Sequence, residues 1–131
     1  MAGAAPSHGE VSIAIARDPA LVRTVRLVAA AVARRADHSD SVIEEIRLAV
    51  GEACALMIGI EEDGSASDDR VSVAIHSDGT LTVTVTGRVV DDSAELEELG
   101  LDPFALIRGL SENLAVERHG DLTTLEMTWA L

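Results

Sequence analysis

The chain has 131 residues, 47% of them hydrophobic, with one Trp, one Phe and no Tyr, which describes a single domain whose core is built from Val, Leu, Ile and Ala. A formal net charge of −13 argues against direct nucleic-acid binding, where a basic surface is the usual footprint. No apolar run reaches membrane-spanning length, the N-terminus shows no secretory pattern, and a single cysteine, Cys54, excludes an internal disulfide and any multi-cysteine metal site; a cytoplasmic protein is expected.

Residues 1–9 are small and polar and read as a disordered tail, leaving 10–131 as the domain. Glu10 to Ala16 alternates with Val11, Ile13 and Ile15 on one side, which predicts a strand. Asp18 as N-cap and Pro19 at the first helical position then open a helix. Its apolar stripe is Leu21, Val25, Val28 and Val32, with Arg23 and Arg34 nearly opposite and Arg26 and Leu27 to either side. All ten cations of the chain are arginine, and five of them (Arg17, Arg23, Arg26, Arg34, Arg35) lie in or just before this helix. The basic face is either solvated surface or a docking surface for an acidic partner.

After a turn over Ala36 to Ser41, Asp40 or Ser41 can cap a second helix running from Val42 to Ile60. Ile43, Ile46, Val50, Ala53, Met57 and Ile60 form its stripe, and Glu45, Glu52 and Leu56 stand along the flank. A carboxylate at that edge suits chemistry, and it is also what any amphipathic helix shows where its stripe meets water. Glu61 to Asp69 is a polar loop. Arg70 to Gly87 reads as a hairpin turning at Asp78-Gly79. Val89 to Gly100 is acidic and has no clear period. Asp102-Pro103 starts a further helix with Phe104, Ile107 and Leu110 inward, and Leu114 to Trp129 makes a last hairpin turning at His119-Gly120-Asp121. The order β-α-α-β-β-α-β-β predicts an α+β two-layer sandwich, with helices packed on one face of a mixed, mostly antiparallel sheet of about five strands.

Generic sites are scarce. The four histidines have no paired metal spacing, and there is no common glycine-rich phosphate loop and no nucleophile elbow. Glu52 remains. The run IEEIRLAVGEACALMI resembles the N-box helix of the anti-sigma factor serine kinases, a branch of the histidine-kinase-like ATPases used in bacterial partner switching, which reads roughly IxLAVxEACTNAI. DPALVRTVRLVAAAVARR is similar to that family's first helix, and PFALIRGLSENLAVERHGDLTTLEM to its final helix and hairpin, so the resemblance extends over most of the chain.

The resemblance implies that Glu52 is the catalytic base of a serine kinase, and that Arg23 contacts both a sigma factor and an anti-sigma factor antagonist of the STAS type. Arg26, Leu27 and Arg34 share the face on which Arg23 stands. The departures are as informative. The family's magnesium-binding Asn is here Leu56, which offers no oxygen where Mg²⁺ needs octahedral oxygen ligation. The adenine-reading Asp-x-Gly-x-Gly is replaced by Thr86-Gly87-Arg88-Val89-Val90, and the phosphate-wrapping glycines by Leu101-Asp102-Pro103-Phe104. Only the terminal pair Thr123 and Thr124 fits the nucleotide pattern. The expectation is a homodimeric anti-sigma regulatory factor that binds a sigma factor, a STAS-domain antagonist or both, with no metal, cofactor, nucleic acid or membrane. The alternative is a Mg·ATP-dependent serine kinase that phosphorylates the antagonist.

Overall fold

A computed structural model describes residues 10–58, 70–89 and 92–131, and the side chains of all these except 92–94. The expected disordered tail, the loop over 61–69 and the end of the second helix at Ile60 lie outside the described residues. The elements are β1 (Val11–Ala16), α1 (Pro19–Arg35), α2 (Asp40–Ile58), β2 (Arg70–Ser77), β3 (Thr80–Gly87), α3 (Asp92–Glu98), α4 (Ala105–Leu110), β4 (Asn113–His119) and β5 (Leu122–Ala130). The short helix α3 falls where the sequence shows no period. About two turns of helix can form in an acidic stretch without a sustained apolar stripe, so periodicity does not detect it.

The five strands make one sheet in the order β1-β2-β3-β5-β4, and every pairing is antiparallel. Connectivity explains why. A single crossover helix would carry the chain back and make the next strand parallel, whereas the α1–α2 hairpin returns it to the end it left, so β2 runs against β1. The crossover through α4 does bring β4 parallel to β3. The tight turn at Gly120 (φ 62) then folds β5 back between them, and no parallel pair results.

One face of the sheet carries Ile15, Val71, Val73, Ile75, Leu81, Val83, Val85, Leu125, Met127 and Trp129, all buried, and the helices cover that face. The other face carries Ser72, Ala74, Thr84, Thr86 and Thr124, half-buried or exposed. From α2 come Ile43, Ile46, Val50, Ala53 and Met57, all buried as their spacing predicts. Each of the larger ones, Ile, Val or Met, removed from water stabilises the fold by about 1.5–3 kcal/mol. Trp129, the only indole, is sealed in the core and donates its Nε1–H to the Leu110 carbonyl at 3.0 Å, which ties β5 to the end of α4.

On α1 the buried residues are Val25, Ala29, Ala30 and Ala33, while Leu21, Val28 and Val32 are only half-buried. The inward face is therefore rotated by roughly a quarter of a turn from the stripe of large side chains. Alanines meet α2 because small side chains let two helix backbones approach closely. Asp18 caps α1, its carboxylate accepting from the Ala20 N–H at 2.9 Å. The cap of α2 is Ser39 rather than Asp40 or Ser41: the Ser39 hydroxyl accepts from the Val42 N–H at 3.3 Å, which satisfies one of the unpaired donors of the first turn.

Candidate functional site

The edge of α2 brings Glu52 and Leu56 together one turn apart, both half-buried. Among the described residues the Glu52 carboxylate has no hydrogen-bond or ion-pair partner. Leu56 packs its side chain against the core. So the two positions pair an available base with a hydrocarbon, and no oxygen stands beside Glu52 at the next turn. Below them, Arg17 donates from Nε to the Met57 carbonyl at 3.0 Å and from Nη2 to the Ile58 carbonyl at 3.2 Å. A guanidinium on the last carbonyls of a helix satisfies unpaired acceptors and opposes the negative end of the helix dipole. Forty residues separate these partners in sequence, so spacing alone offers no signal for this contact.

The segment Thr86-Gly87-Arg88 ends β3 beside the C-terminal turn of α2. A Cβ at Gly87 would lie 3.0 Å from the Met57 Sδ and 3.5 Å from Val71 Cγ2, so a side chain here fits only if Met57 gives way by a few tenths of an ångström. Thr123, buried, stands opposite Gly87 on the helix-covered face. Thr124 does not join it. Successive strand residues point to opposite faces, and Thr124 lies on the outer face with its hydroxyl 3.1 Å from that of Thr86. Asp102 anchors the start of α4, accepting from the Phe104 N–H at 2.9 Å and from Arg108 Nε at 2.9 Å. The Phe104 N–H and then the Arg108 guanidinium hold its carboxyl below the ordinary carboxylate range. This is a side-chain-locked turn, unlike a glycine loop whose backbone could wrap phosphates.

The second candidate surface is the outer crest of α1. Arg23 and Leu27 stand one turn apart and exposed, with Arg34 further along the same side and exposed as well. Leu27 is 53% exposed. Arg26 leaves the crest: it is half-buried, and its stem crosses α2 so closely that a Cβ at Gly51 would lie 2.9 Å from the Arg26 Cδ. None of Arg23, Arg26 and Arg34 has an ion-pair partner among the described residues. Acidic residues outnumber arginines by 23 to 10, so it is the arginines without ion pairs among the described residues that set this crest apart, exposed leucines recurring elsewhere at Leu99, Leu101 and Leu106. Exposed apolar groups flanked by arginine are the composition of a protein-binding patch.

Among the described residues no group of His, Cys, Asp and Glu is arranged to hold a metal ion, and no helix is long and apolar enough to cross a membrane.

Comparison with known proteins gives a consistent fold. The model of the histidine kinase-like ATPase domain matches residues 15–129. No curated protein matches the sequence. Among solved structures, the RsbU and RsbW domains of Rv1364c from Mycobacterium tuberculosis superpose with a TM-score of 0.70 at 18% identity, covering 94% of this chain and 32% of that one. The chain thus spans about a third of the length of the protein it resembles.

Proposed function

The chain belongs to the histidine kinase-like ATPase domain family, and from that premise we propose that it is an anti-sigma regulatory factor of the partner-switching kind, working by protein contacts rather than by phosphoryl transfer. Its partners in this reading are a sigma factor, a STAS-domain anti-sigma factor antagonist or both, met in the cytoplasm as a homodimer. The basic crest of Arg23, Leu27 and Arg34 is the docking surface, with Arg26 at its margin.

The observation that carries the reading is Leu56. The residues present do not fit Mg·ATP: an aliphatic side chain packed on the core stands where a magnesium ligand would be needed, and metal-bound triphosphate requires hard oxygen donors. Asp102, an ionised carboxylate locked by Arg108 and the Phe104 N–H, replaces a phosphate-binding glycine loop with negative charge. The test is calorimetric titration with Mg·ATP and with Mg·ADP. No heat at near-millimolar nucleotide is expected, and micromolar binding would overturn the proposal.

One observation favours a second reading, a serine kinase that phosphorylates the antagonist. Glu52 is a half-exposed carboxylate with no partner of its own among the described residues, as a general base needs to be. Nucleotide binding together with phosphate transfer to an antagonist serine, lost in Glu52→Ala, would establish this reading in place of the first.

A further inference from the structure

At the opposite end of the domain from Glu52, about 18 Å away along α2, the structure holds a cleft of about 320 Å³ lined by Arg35, Ala36, His38, Ser77, Asp78, Gly79 and Leu131. Two of its polar side chains are unusual. His38 is 8% exposed and Ser77 is 7% exposed, yet neither side chain has a hydrogen-bond partner among the described residues. Their polar atoms are not sealed from solvent either, the sealed and unsatisfied atom among the described residues being Arg47 Nε. They open onto the cleft. Arg35 joins them as an exposed guanidinium without an ion pair among the described residues.

The local fold explains how His38 comes to be there. The His38 N–H bonds to the Ala33 carbonyl at 3.1 Å and the Asp37 N–H to the Arg34 carbonyl at 3.1 Å, with Asp37 left-handed at φ 64. This is a Schellman ending of α1, and the residue after the left-handed one normally packs an apolar side chain back on the helix. Here that position carries imidazole. Ser77 likewise occupies the helix-covered face of β2, in line with Val71, Val73 and Ile75. Packing alone would place apolar residues at both positions. Their polar atoms stay open to water in the cleft, so what the fold gives up is apolar packing at two core-facing positions, a loss that a ligand held by these donors offsets.

We propose that this cleft binds a small oxyanion, a phosphate or carboxylate group, through the Arg35 guanidinium, an imidazole N–H of His38 and the Ser77 hydroxyl. These are the donors that recognise such groups, and the fork of Arg35 suits either. The one carboxylate side chain in the lining, Asp78, is exposed at the hairpin turn. The volume lies at the small end of the range for ligand pockets, about 300–1,000 Å³, and admits an oxyanion carried on a small organic body. This proposal is independent of whether α1 docks a sigma factor.

The protein's own charge sharpens the test. At −13 the overall field repels anions, so saturable anion binding must come from a local site. Phosphate also stabilises proteins generally by exclusion from their surfaces, so the readout has to be residue-resolved. Amide and imidazole resonances of the whole chain are followed while inorganic phosphate, and separately succinate, are titrated at constant ionic strength. Saturating shifts confined to residues 35–38, 77–79 and 131 are expected, weakened about tenfold in Arg35→Gln, a surface change that spares the fold, and also in Ser77→Ala. Saturation by phosphate alone identifies a phosphoryl ligand, and saturation by succinate alone a carboxylate one. Unsaturated linear shifts with both probes, or the same curve in Arg35→Gln, overturn the proposal.

Discussion

At the scale of single residues, burial decides which groups are chemically available. Cys54 is fully sealed on the inner side of α2, and loss of hydration pushes its thiol from 9.0 up to about 12. It is therefore a small apolar filler at neutral pH, inert where an exposed thiolate would react. The consequence is measurable because this chain has no Lys and no Tyr. Above pH 8.5 the thiol is the one side chain left to titrate before the arginines. With a folded value raised above the unfolded one, the native state keeps its proton longer. Stability from this source is complete below pH 9 and lost as pH rises towards 12. Urea unfolding should show a loss of about 1.4 kcal/mol between pH 8 and pH 10. Cys54→Ala should abolish that loss, and a slope that persists in the variant would assign it elsewhere. Glu52 and Leu56 are legible at this scale from spacing alone. That Glu52 has no partner among the described residues, and that Arg17 caps α2, are facts about neighbours in space.

At the scale of elements, the limits of reading by periodicity are clearest in α1. Hydrophobic size points to Leu21, Val28 and Val32, and the buried face is centred on Ala29 and Ala33. A packing seam between helices selects for small side chains, which hydrophobicity undervalues. The same close packing governs the junction of α2 and β3. Gly87→Ala would press a methyl group against Met57, 3.0 Å from its Sδ. The expected cost is about 1–3 kcal/mol for overpacking, read as a lower urea midpoint through Trp129 fluorescence. An unchanged midpoint would mean that Met57 swings clear, and that Gly87 owes its place to something other than packing. The capping error at α2 has the same origin. Ser39, Asp40 and Ser41 are all capable caps, and the choice depends on where the Schellman turn at Asp37 releases the chain.

For the whole molecule, the distribution of charge matters more than its sum. Acidic residues dominate, yet the crest of α1 keeps Arg23 and Arg34 without an ion pair among the described residues, beside an exposed Leu27. Charges so placed guide an acidic partner and set its association rate. Arg23→Glu should therefore abolish binding to a cognate sigma factor or STAS antagonist, measured by surface plasmon resonance. It should change unfolding stability by no more than about 0.5 kcal/mol, because the side chain is exposed and has no ion pair among the described residues. Wild-type affinity should weaken as salt rises, since exposed charges are screened within about 8 Å at physiological ionic strength. Undiminished binding by Arg23→Glu would remove the crest from the interface.

The sequence by itself determined the order of every element except α3, the other boundaries among the described residues to within a few positions, the α+β layering, the aliphatic core of α2 and the carboxylate at its edge. These follow from local rules: alternation, helical spacing, turn residues and caps act within a few positions along the chain. Three features were decided only by the tertiary structure. The sheet is antiparallel throughout because β5 inserts between β3 and β4, which depends on a hairpin folding back across a crossover. Thr123 and Thr124 part company because the pleat sends them to opposite faces. The cleft of Arg35, His38 and Ser77 exists because a helix ending and a distant hairpin meet at one end of the domain. Each joins residues far apart in the chain, and no spacing rule reaches that far.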